Sequence, residues 1–383
     1  MGTDVDIAGL GMTPMSLRPG ATPARLACDA IVAALRDASI SHADVDGLLV
    51  ASSQGVRPER VGVGLAATAG LVDLRLLEHL EIKGATTLAM LQRAHHAITS
   101  GEAHTVVCVF ADAPIVAGRG SGSTYAHSGG HSGTRGLERA SGLLGSVPTY
   151  ALLAQRWFHV MGGSAMDLCT VAVTARRWAA GNPDAVDRSP LDADSYHAAP
   201  MIAEPLRRPD CARPVNGAVA VVVTGDTALG HNRIRLRGFG RSHPVRRRRA
   251  GAESWFGGGR SAVNTALAQA GMARSDIDVV ELYDPFSIVT LILLAEYGLT
   301  NDAPVGAFVQ EGRIGPGGDR PVNTGGGQLA GFYLQGMTPL AEAILQLRGL
   351  GGARQVSDAS TALVSGLGGR MDHHAVVVLE RAA

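Results

Sequence analysis

The 383 residues carry 34 basic and 34 acidic side chains, so no net field draws the chain to nucleic acid or to an anionic membrane. Apolar residues make up 46% and aromatics only 4%, with 50 glycines, which supplies a sizeable core built by close approach of helices to sheets. Four scattered cysteines form no CxxC pair, against a structural zinc site within the chain; Cys28, Cys108 and Cys169 lie in apolar runs and read as core thiols.

The chain opens with MGTDVDIAGLGMTP, a strand and turn with neither a charged n-region nor an apolar h-region. No apolar stretch reaches the roughly 18 residues of a membrane span. The expectation is a soluble, cytoplasmic chain. DAIVAALRDASISHADVDGLLVAS (29–52) then reads as amphipathic helix, aspartate turn and apolar strand. EIKGATTLAMLQRAHHAITSGEAHTVVCVFAD (81–112) reads as glycine turn, long helix, Ser-Gly stop and buried strand. The stretch AGRGSGSTYAHSGGHSGTRG (117–136) is long for a plain connection and points to a functional or mobile loop. Its His127 and His131 have a spacing that binds metal on a helix, but the Gly-Gly between them disfavours a helix. A substrate-facing or dimer-contact loop is the preferred reading, a plain surface loop the alternative. Two helices follow, TYALLAQRWFHVMG (149–162) and DLCTVAVTARRWAAGNP (167–183), then a core strand in VNGAVAVVVTGD (215–226).

A boundary near residue 228 separates a first half, 1–228 with an inserted region at about 113–200, from a second, 229–383. HPVRRRRAG (243–251) opens the second half. Arg246–Arg249 could grip the phosphates of a nucleotide end, though charge runs are more often solvated. SAVNTALAQAGMARSDIDVVELYD (261–284) repeats the first helix–turn–strand unit: Ala34, Leu35, Ala38, Asp44 and Asp46 recur as Ala266, Leu267, Ala270, Asp276 and Asp278, at a constant displacement of 232 residues. GRIGPGGD (312–319) is a turn-rich connector. PVNTGGGQLAGFYLQGM (321–337) leads from a glycine turn into a second long helix, and SDASTALVSGLGG (357–369) leads to the buried terminal strand HHAVVVLER (373–381). His373 and His374 have no second cluster beside them, so no metal is assigned to them. Helices alternating with continuous apolar strands imply mostly parallel sheets covered by helices, and two similar halves imply pseudo-twofold symmetry over one site.

In order along the chain, these stretches resemble the thiolase superfamily in its sterol carrier/lipid-transfer branch. ALLAQRWFHVMG, VAVTARRWAAGNPDA and MIAEPLRRPDCARPVNGAVAVVV are similar to its middle block, DIDVVELYDPF to its VELHD-type segment, PVNTGGGQLAGFYLQGM to its glycine–histidine loop, and ALVSGLGG to its C-terminal glycine loop. The resemblance implies an α/β thiolase fold: two duplicated βαβαβ-type halves in a five-layer αβαβα sandwich, a homodimeric core, and an acyl-CoA substrate at the loop ends. No cofactor is implied in this chain, coenzyme A entering only as part of the substrate. Gly84, Asp284, Asn323, Gly326, Gly327 and Gly368 are the candidate substrate- or CoA-binding positions, and no metal is expected.

The departures from that family set the chemistry. The position of the thiolase nucleophilic cysteine is Gly84, so no acyl-enzyme can form there. Thr86 and Thr87 beside it are unactivated hydroxyls, better suited to helix capping. The family histidine falls at Tyr333, the asparagine or histidine of the other substrate-facing segment at Tyr283, and the last cysteine at Ser365 or Gly366. Two phenols suit proton transfer to and from an alkoxide and an enolate, the needs of retro-aldol cleavage of a β-hydroxyacyl-CoA. The pattern resembles the lipid-transfer-protein aldolases of steroid side-chain degradation. By that resemblance, Tyr283 and Tyr333 are catalytic, the products are a steroid ketone and propionyl-CoA, and a partner with an OB-fold and zinc ribbon completes a heterotetramer. Buried core tyrosines are the plainer reading of both. Asp284 either tunes Tyr283 or caps the helix begun by Pro285 and Phe286, and Asn323 either forms the turn or makes an indirect contact. The rival functions are a catalytically silent acyl-CoA- or lipid-binding homologue and a thiolase-like acyltransferase with another nucleophile.

Overall fold

A computed structural model describes residues 4–53, 62–118, 133–226, 232–244 and 258–382. The boundary at residue 228, the His127/His131 pair and the Arg246–Arg249 run lie outside the described residues. The first half runs β1 (Asp6–Met12), α1 (Pro23–Ala38), β2 (Gly47–Ala51), α2 (Gly62–Thr68), β3 (Leu76–Leu80), α3 (Thr86–Thr99) and β4 (Thr105–Asp112). The inserted region contributes α4 (Gly133–Ala140), α5 (Val147–Met161), α6 (Ala165–Ala180), α7 (Ala193–Ala198) and the short pair β5 (Met201–Ala203) and β6 (Leu206–Arg207), before β7 (Gly217–Thr224). The second half comprises β8 (Ile234–Ser242), α8 (Gly258–Ala270), β9 (Val279–Glu281), α9 (Ser287–Tyr297), α10 (Val305–Gln310), α11 (Met337–Leu347), β10 (Thr361–Gly368) and β11 (His373–Arg381).

The strands order as β3-β2-β4-β7-β1 in the first half and β8-β11-β10-β9 in the second, joined where Asp6 and Ile7 of β1 pair with Arg235 and Ile234 of β8. At that seam the Arg235 guanidinium donates to the buried Asp6 carboxylate at 2.6 Å. Strand alternation then fixes the layers. On β7, Val219, Val221 and Val223 face a core shared with α3 and α11, whereas Ala218, Ala220 and Val222 face α1. On β11, Ala375, Val377 and Leu379 face the same central core, and Val376 and Val378 face α8 and α9. The result is α1/α2, sheet, α3/α11, sheet and α8/α9, five layers, with α5 and α6 adding to the last. Expected mostly parallel, the sheets are mixed: β2–β3, β2–β4 and β9–β10 are parallel, and the other pairs in the large sheet are antiparallel. Strands buried on both faces give continuous apolar runs whichever way they point, so composition carried no sign of direction.

The repeat is structural down to its hydrogen bonds. Asp44 accepts the Ser41 N–H at 3.0 Å, and Asp276 accepts the Ala273 N–H at 2.8 Å, each closing a 3-10 turn. Asp46 takes the N–H groups of His104 and Thr105 at the start of β4, and Asp278 those of Ser360 and Thr361 at the start of β10. Burial alone would raise these two carboxyls, but the donors around them hold both below the ordinary range. Gly9 and Gly11 on β1 let the backbone of α1 at Ala30 and Ala34 lie against the strand. Gly238 and Gly240 on β8 do the same for α8 at Ala262 and Ala266. A methyl at any of the four would meet helix backbone.

Two further expectations change. TALVSGLG, read as part of a glycine loop, is the fully buried strand β10. The glycine turn at Gly325–Gly327 opens into one π-helical turn (Gly327–Gly331), and α11 begins only at Met337, so Tyr333 sits on extended chain between them.

Candidate active site

Tyr283 leaves the carboxyl end of β9, and two bonds fix the backbone that carries it. The Leu282 N–H donates to Asn323 Oδ1 at 2.6 Å, and the Tyr283 N–H to Ser365 Oγ on β10 at 2.9 Å. Tyr333 arrives from the glycine loop. Gly326 and Gly327 take φ of 89° and 59°, a left-handed pair that β-carbons would strain, and the chain then straightens so that Tyr333 pairs with Pro214. The two phenol oxygens meet at 3.1 Å, each able to donate to the other. The Tyr283 ring is buried and Tyr333 half-buried. Burial pushes the Tyr333 phenol above its ordinary value; the hydrogen bond with Tyr283 works the other way, and the charge of Asp112 raises it further.

Gly84, just before α3, explains why the rings fit. A β-carbon there would clash with the Tyr283 ring at Cζ and Cε2 and with the carbonyl of Leu367. Side chain at 84 and phenol at 283 therefore exclude each other. Thr86 is occupied locally: its hydroxyl accepts the Ile82 N–H at 2.7 Å and donates to the Lys83 carbonyl at 2.6 Å, while Ala85 holds the N-cap position expected for a threonine. The four cysteines are unpaired thiols. Burial drives Cys108 well above the thiol range and Cys211 up to about 12, so neither is a ready nucleophile.

The remaining candidates form the frame. Asn323, at φ 53°, ties both tyrosine loops together: its side chain takes the Leu282 N–H, its own N–H donates to Val280 at 3.0 Å, and its carbonyl accepts the Gly326 N–H at 2.8 Å. Asp284 caps the π-helical turn instead of α9, whose N-cap is Phe286. Its Oδ1 accepts the Gln328 N–H at 2.7 Å. Enclosed there, its carboxyl is raised to about 8, burial outweighing the hydrogen bonds that lower it. The close approaches that Gly326 and Gly327 permit are to protein groups, the β-carbon of Ala179 and the Asp284 carboxyl. Gly368, at the end of β10, lies against the Ile82 carbonyl ahead of Gly84, and Gly366 on the same strand lies against the Gly84 carbonyl.

Beneath the frame, Thr324 Oγ1 lies 2.8 Å from Glu281 and 2.9 Å from Glu342, which is paired with Arg354 at 2.9 Å. One hydroxyl proton cannot serve two ionised acceptors. Burial first, and Glu342 second, push the Glu281 carboxyl well above its ordinary range.

Two groups at the site were missed in the sequence. Asp112 ends β4, buried, its Oδ1 taking the Ser53 hydroxyl at 2.6 Å and the Ala113 N–H at 2.9 Å. The signal was available: VVCVFAD closes an all-apolar strand on a charge. Tyr150 of α5 is stacked on Phe286 with centroids 4.5 Å apart; burial raises its phenol, and Tyr333 and Asp372 add to the effect. Among the described residues, no group of three His, Cys, Asp or Glu side chains could hold a metal ion, and no helix is long and apolar enough to cross a membrane.

Residues 246–381 match a family model described as Thiolase C-terminal domain-like. The chain is 30% identical over 373 residues, 90% of its length and 91% of the relative's, to a 17-hydroxy-3-oxo-4-pregnene-20-carboxyl-CoA lyase of Mycobacterium tuberculosis. It is likewise 30% identical over 380 residues, 94% of each chain, to a steroid side-chain-cleaving aldolase of Thermomonospora curvata. Among solved structures, an Ltp2-ChsH2(DUF35) aldolase superimposes with a TM-score of 0.85 at 27% identity, covering 99% of this chain and 98% of that one. A human mitochondrial 3-ketoacyl-CoA thiolase, at 17% identity and a TM-score of 0.71 over 100% of this chain and 99% of that one, shares the fold.

Proposed function

The chain belongs to the steroid side-chain-cleaving aldolases of the thiolase superfamily, and from that premise we propose that it is a carbon–carbon lyase cleaving a β-hydroxyacyl-CoA by proton transfer between Tyr283 and Tyr333. One phenolate takes the proton of the β-hydroxyl. The oxygen pair closes to a ketone, the Cα–Cβ pair moves into the thioester as an enolate, and the other phenol protonates Cα. A ketone and a shorter acyl-CoA leave, with no water consumed, no change of oxidation state and no covalent intermediate. Each turnover leaves the two phenols with their protonation states exchanged, and the 3.1 Å contact between them offers a path for the proton to return.

The observation that carries this reading is the mutual exclusion of a side chain at 84 and the ring of Tyr283. An acyltransferase needs a nucleophile where this chain has space filled by a phenol. The substrate class follows the name of the M. tuberculosis relative: a 17-hydroxy steroid side-chain thioester, whose cleavage would release propionyl-CoA; a cytoplasmic setting is part of the proposal. The partner follows the solved aldolase, whose name includes a DUF35 component: a protein with an OB-fold and zinc ribbon that delivers the acyl-CoA to a homodimer of this chain. Gly84, Asp284, Asn323, Gly326, Gly327 and Gly368 shape the substrate loops, and this chain requires no cofactor of its own.

Incubation with 17-hydroxy-3-oxo-4-pregnene-20-carboxyl-CoA, with and without such a partner, tests the proposal. Ketone and short acyl-CoA should form in equal amounts. Binding without product would make the chain a silent homologue, and an acyl adduct in the intact mass would make it an acyltransferase.

A further inference from the structure

The two phenols are held in different ways. Two bonds tie the Tyr283 backbone to Asn323 and Ser365, whereas Tyr333 stands on extended chain between the π-helical turn and α11. There one side chain grips both of its flanks. Thr338 Oγ1 accepts the Leu334 N–H at 3.0 Å and donates to the Phe332 carbonyl at 2.9 Å. Those groups belong to the peptide units on either side of the Tyr333 α-carbon, so a single hydroxyl fixes both planes from which the phenol hangs. Thr338 is buried on the first turn of α11, and the N-cap of that helix is Gly336. The glycine seats the helix: a β-carbon on Gly336 would lie 2.8 Å from the Gly84 carbonyl and 2.9 Å from the β-carbon of Thr87, so the start of α11 rests on the start of α3. Gly84 is also the residue whose missing side chain admits the Tyr283 ring. Gln328 spans the same stretch from its other end, its Nε2 donating to the Gln335 carbonyl at 2.6 Å.

Resting on the two-phenol reading above, we propose that Thr338 is a positioning residue for the cleavage: its hydroxyl locks the backbone at Tyr333 in register with Gly84, so that the second phenol meets Tyr283 at 3.1 Å. Thr338 acts through the phenol it holds. A phenol oxygen lies at the far end of a long side chain, so a small turn about either backbone bond of Tyr333 swings it out of hydrogen-bonding range. A misplacement of about 1 Å can cost about 10²-fold in rate. The hydroxyl spends its one proton on the Phe332 carbonyl and a lone pair on the Leu334 N–H. Only a group that both donates and accepts can replace it.

The test is the split between kcat and KM for the steroid thioester in the full chain carrying Thr338→Val, which keeps the shape and removes the hydroxyl. Turnover per folded molecule, counted by circular dichroism, should fall by about 10- to 100-fold with KM unchanged. Thr338→Ser should restore it. Thr338→Cys, whose thiol is a weak donor and acceptor, should fall short of the serine variant and stands in if the valine variant does not fold. A folded valine variant with wild-type kcat, or serine and cysteine variants that turn over alike, would overturn the proposal. Crystal structures of the variants read the same clamp without substrate. The contact between the Tyr283 and Tyr333 oxygens should open in Thr338→Val and persist in Thr338→Ser, and a valine variant that keeps it counts against Thr338. This second measurement judges the clamp even if the wild-type chain leaves the thioester uncut, an outcome that would sink the aldolase reading alone.

Discussion

The two halves share their scaffold up to the ends of their strands and diverge there. Asp44 and Asp276 close the same turn, and Asp46 and Asp278 fasten it to the start of the neighbouring strand. Beyond that point, the repeat position of Tyr283 is Ala51 and that of Asp284 is Ser52. Asp112, ending β4, corresponds to Gly368, ending β10. The second half thus supplies phenols and the loop that presents them, while the first supplies room at Gly84 and the buried Ser53–Asp112 pair. A duplicated fold can divide one reaction between its halves because the scaffold is held by groups well away from the strand ends.

The largest expected effect tests that division at its centre. Tyr283→Phe and Tyr333→Phe should each lower ketone release by about 10²–10⁴-fold, the range of a positioned acid or base, with acyl-CoA binding retained. Steady-state turnover checks this, and a variant with full turnover would remove its phenol from the mechanism.

Next comes Asp284 against Ser52. With its carboxyl at about 8 in the folded chain and near 3.9 when unfolded, Asp284 retains a proton in the native state that the unfolded chain has released. Stability therefore declines as pH rises through that window and levels off above it, by a few kcal/mol at about 1.4 per unit. Asp284→Asn should flatten the decline in urea unfolding, whereas Ser52→Asn should leave it in place.

A smaller effect tests the first half's contribution of space. Gly84→Ala should cost about 1–3 kcal/mol in thermal or urea unfolding, the usual penalty of overpacking. Combined with Tyr283→Ala, only the part of that cost due to the ring should vanish, since the Leu367 carbonyl still meets the added methyl; fully additive costs would mean the two side chains do not compete. The smallest concerns what the halves share. Asp44→Ala and Asp276→Ala should each lower the melting temperature slightly and by similar amounts, as lost caps do, and unequal shifts would show that the repeat no longer carries equal load.

Much of the frame was legible because it depends on local grammar. The periodicity of α1 and α8, the aspartate turns and the buried strands can each be read from short windows, and the constant displacement between copies showed that they were the same unit. Strand direction was not legible, since Val219–Val223 would read alike in either sense. Nor was the role of Asp284, which lies at a helix start in sequence and at the π-helical turn in space. Asp112 carried a visible signal, a charge closing an apolar strand, without any hint of its neighbour.

By itself, then, the sequence determined the duplicated α/β unit from residue type and spacing and, through the family resemblance, the glycine at 84 in place of a nucleophile and the pair of tyrosines on two loops. Only the tertiary structure decided that the phenol oxygens stand 3.1 Å apart, that Tyr283 fills the space left by Gly84, and that Ser53 and Asp112 meet at 2.6 Å. Those relations join residues 50 to 199 positions apart; they exist only once both sheets have closed over the central helices and low-dielectric burial has made each charge and proton count.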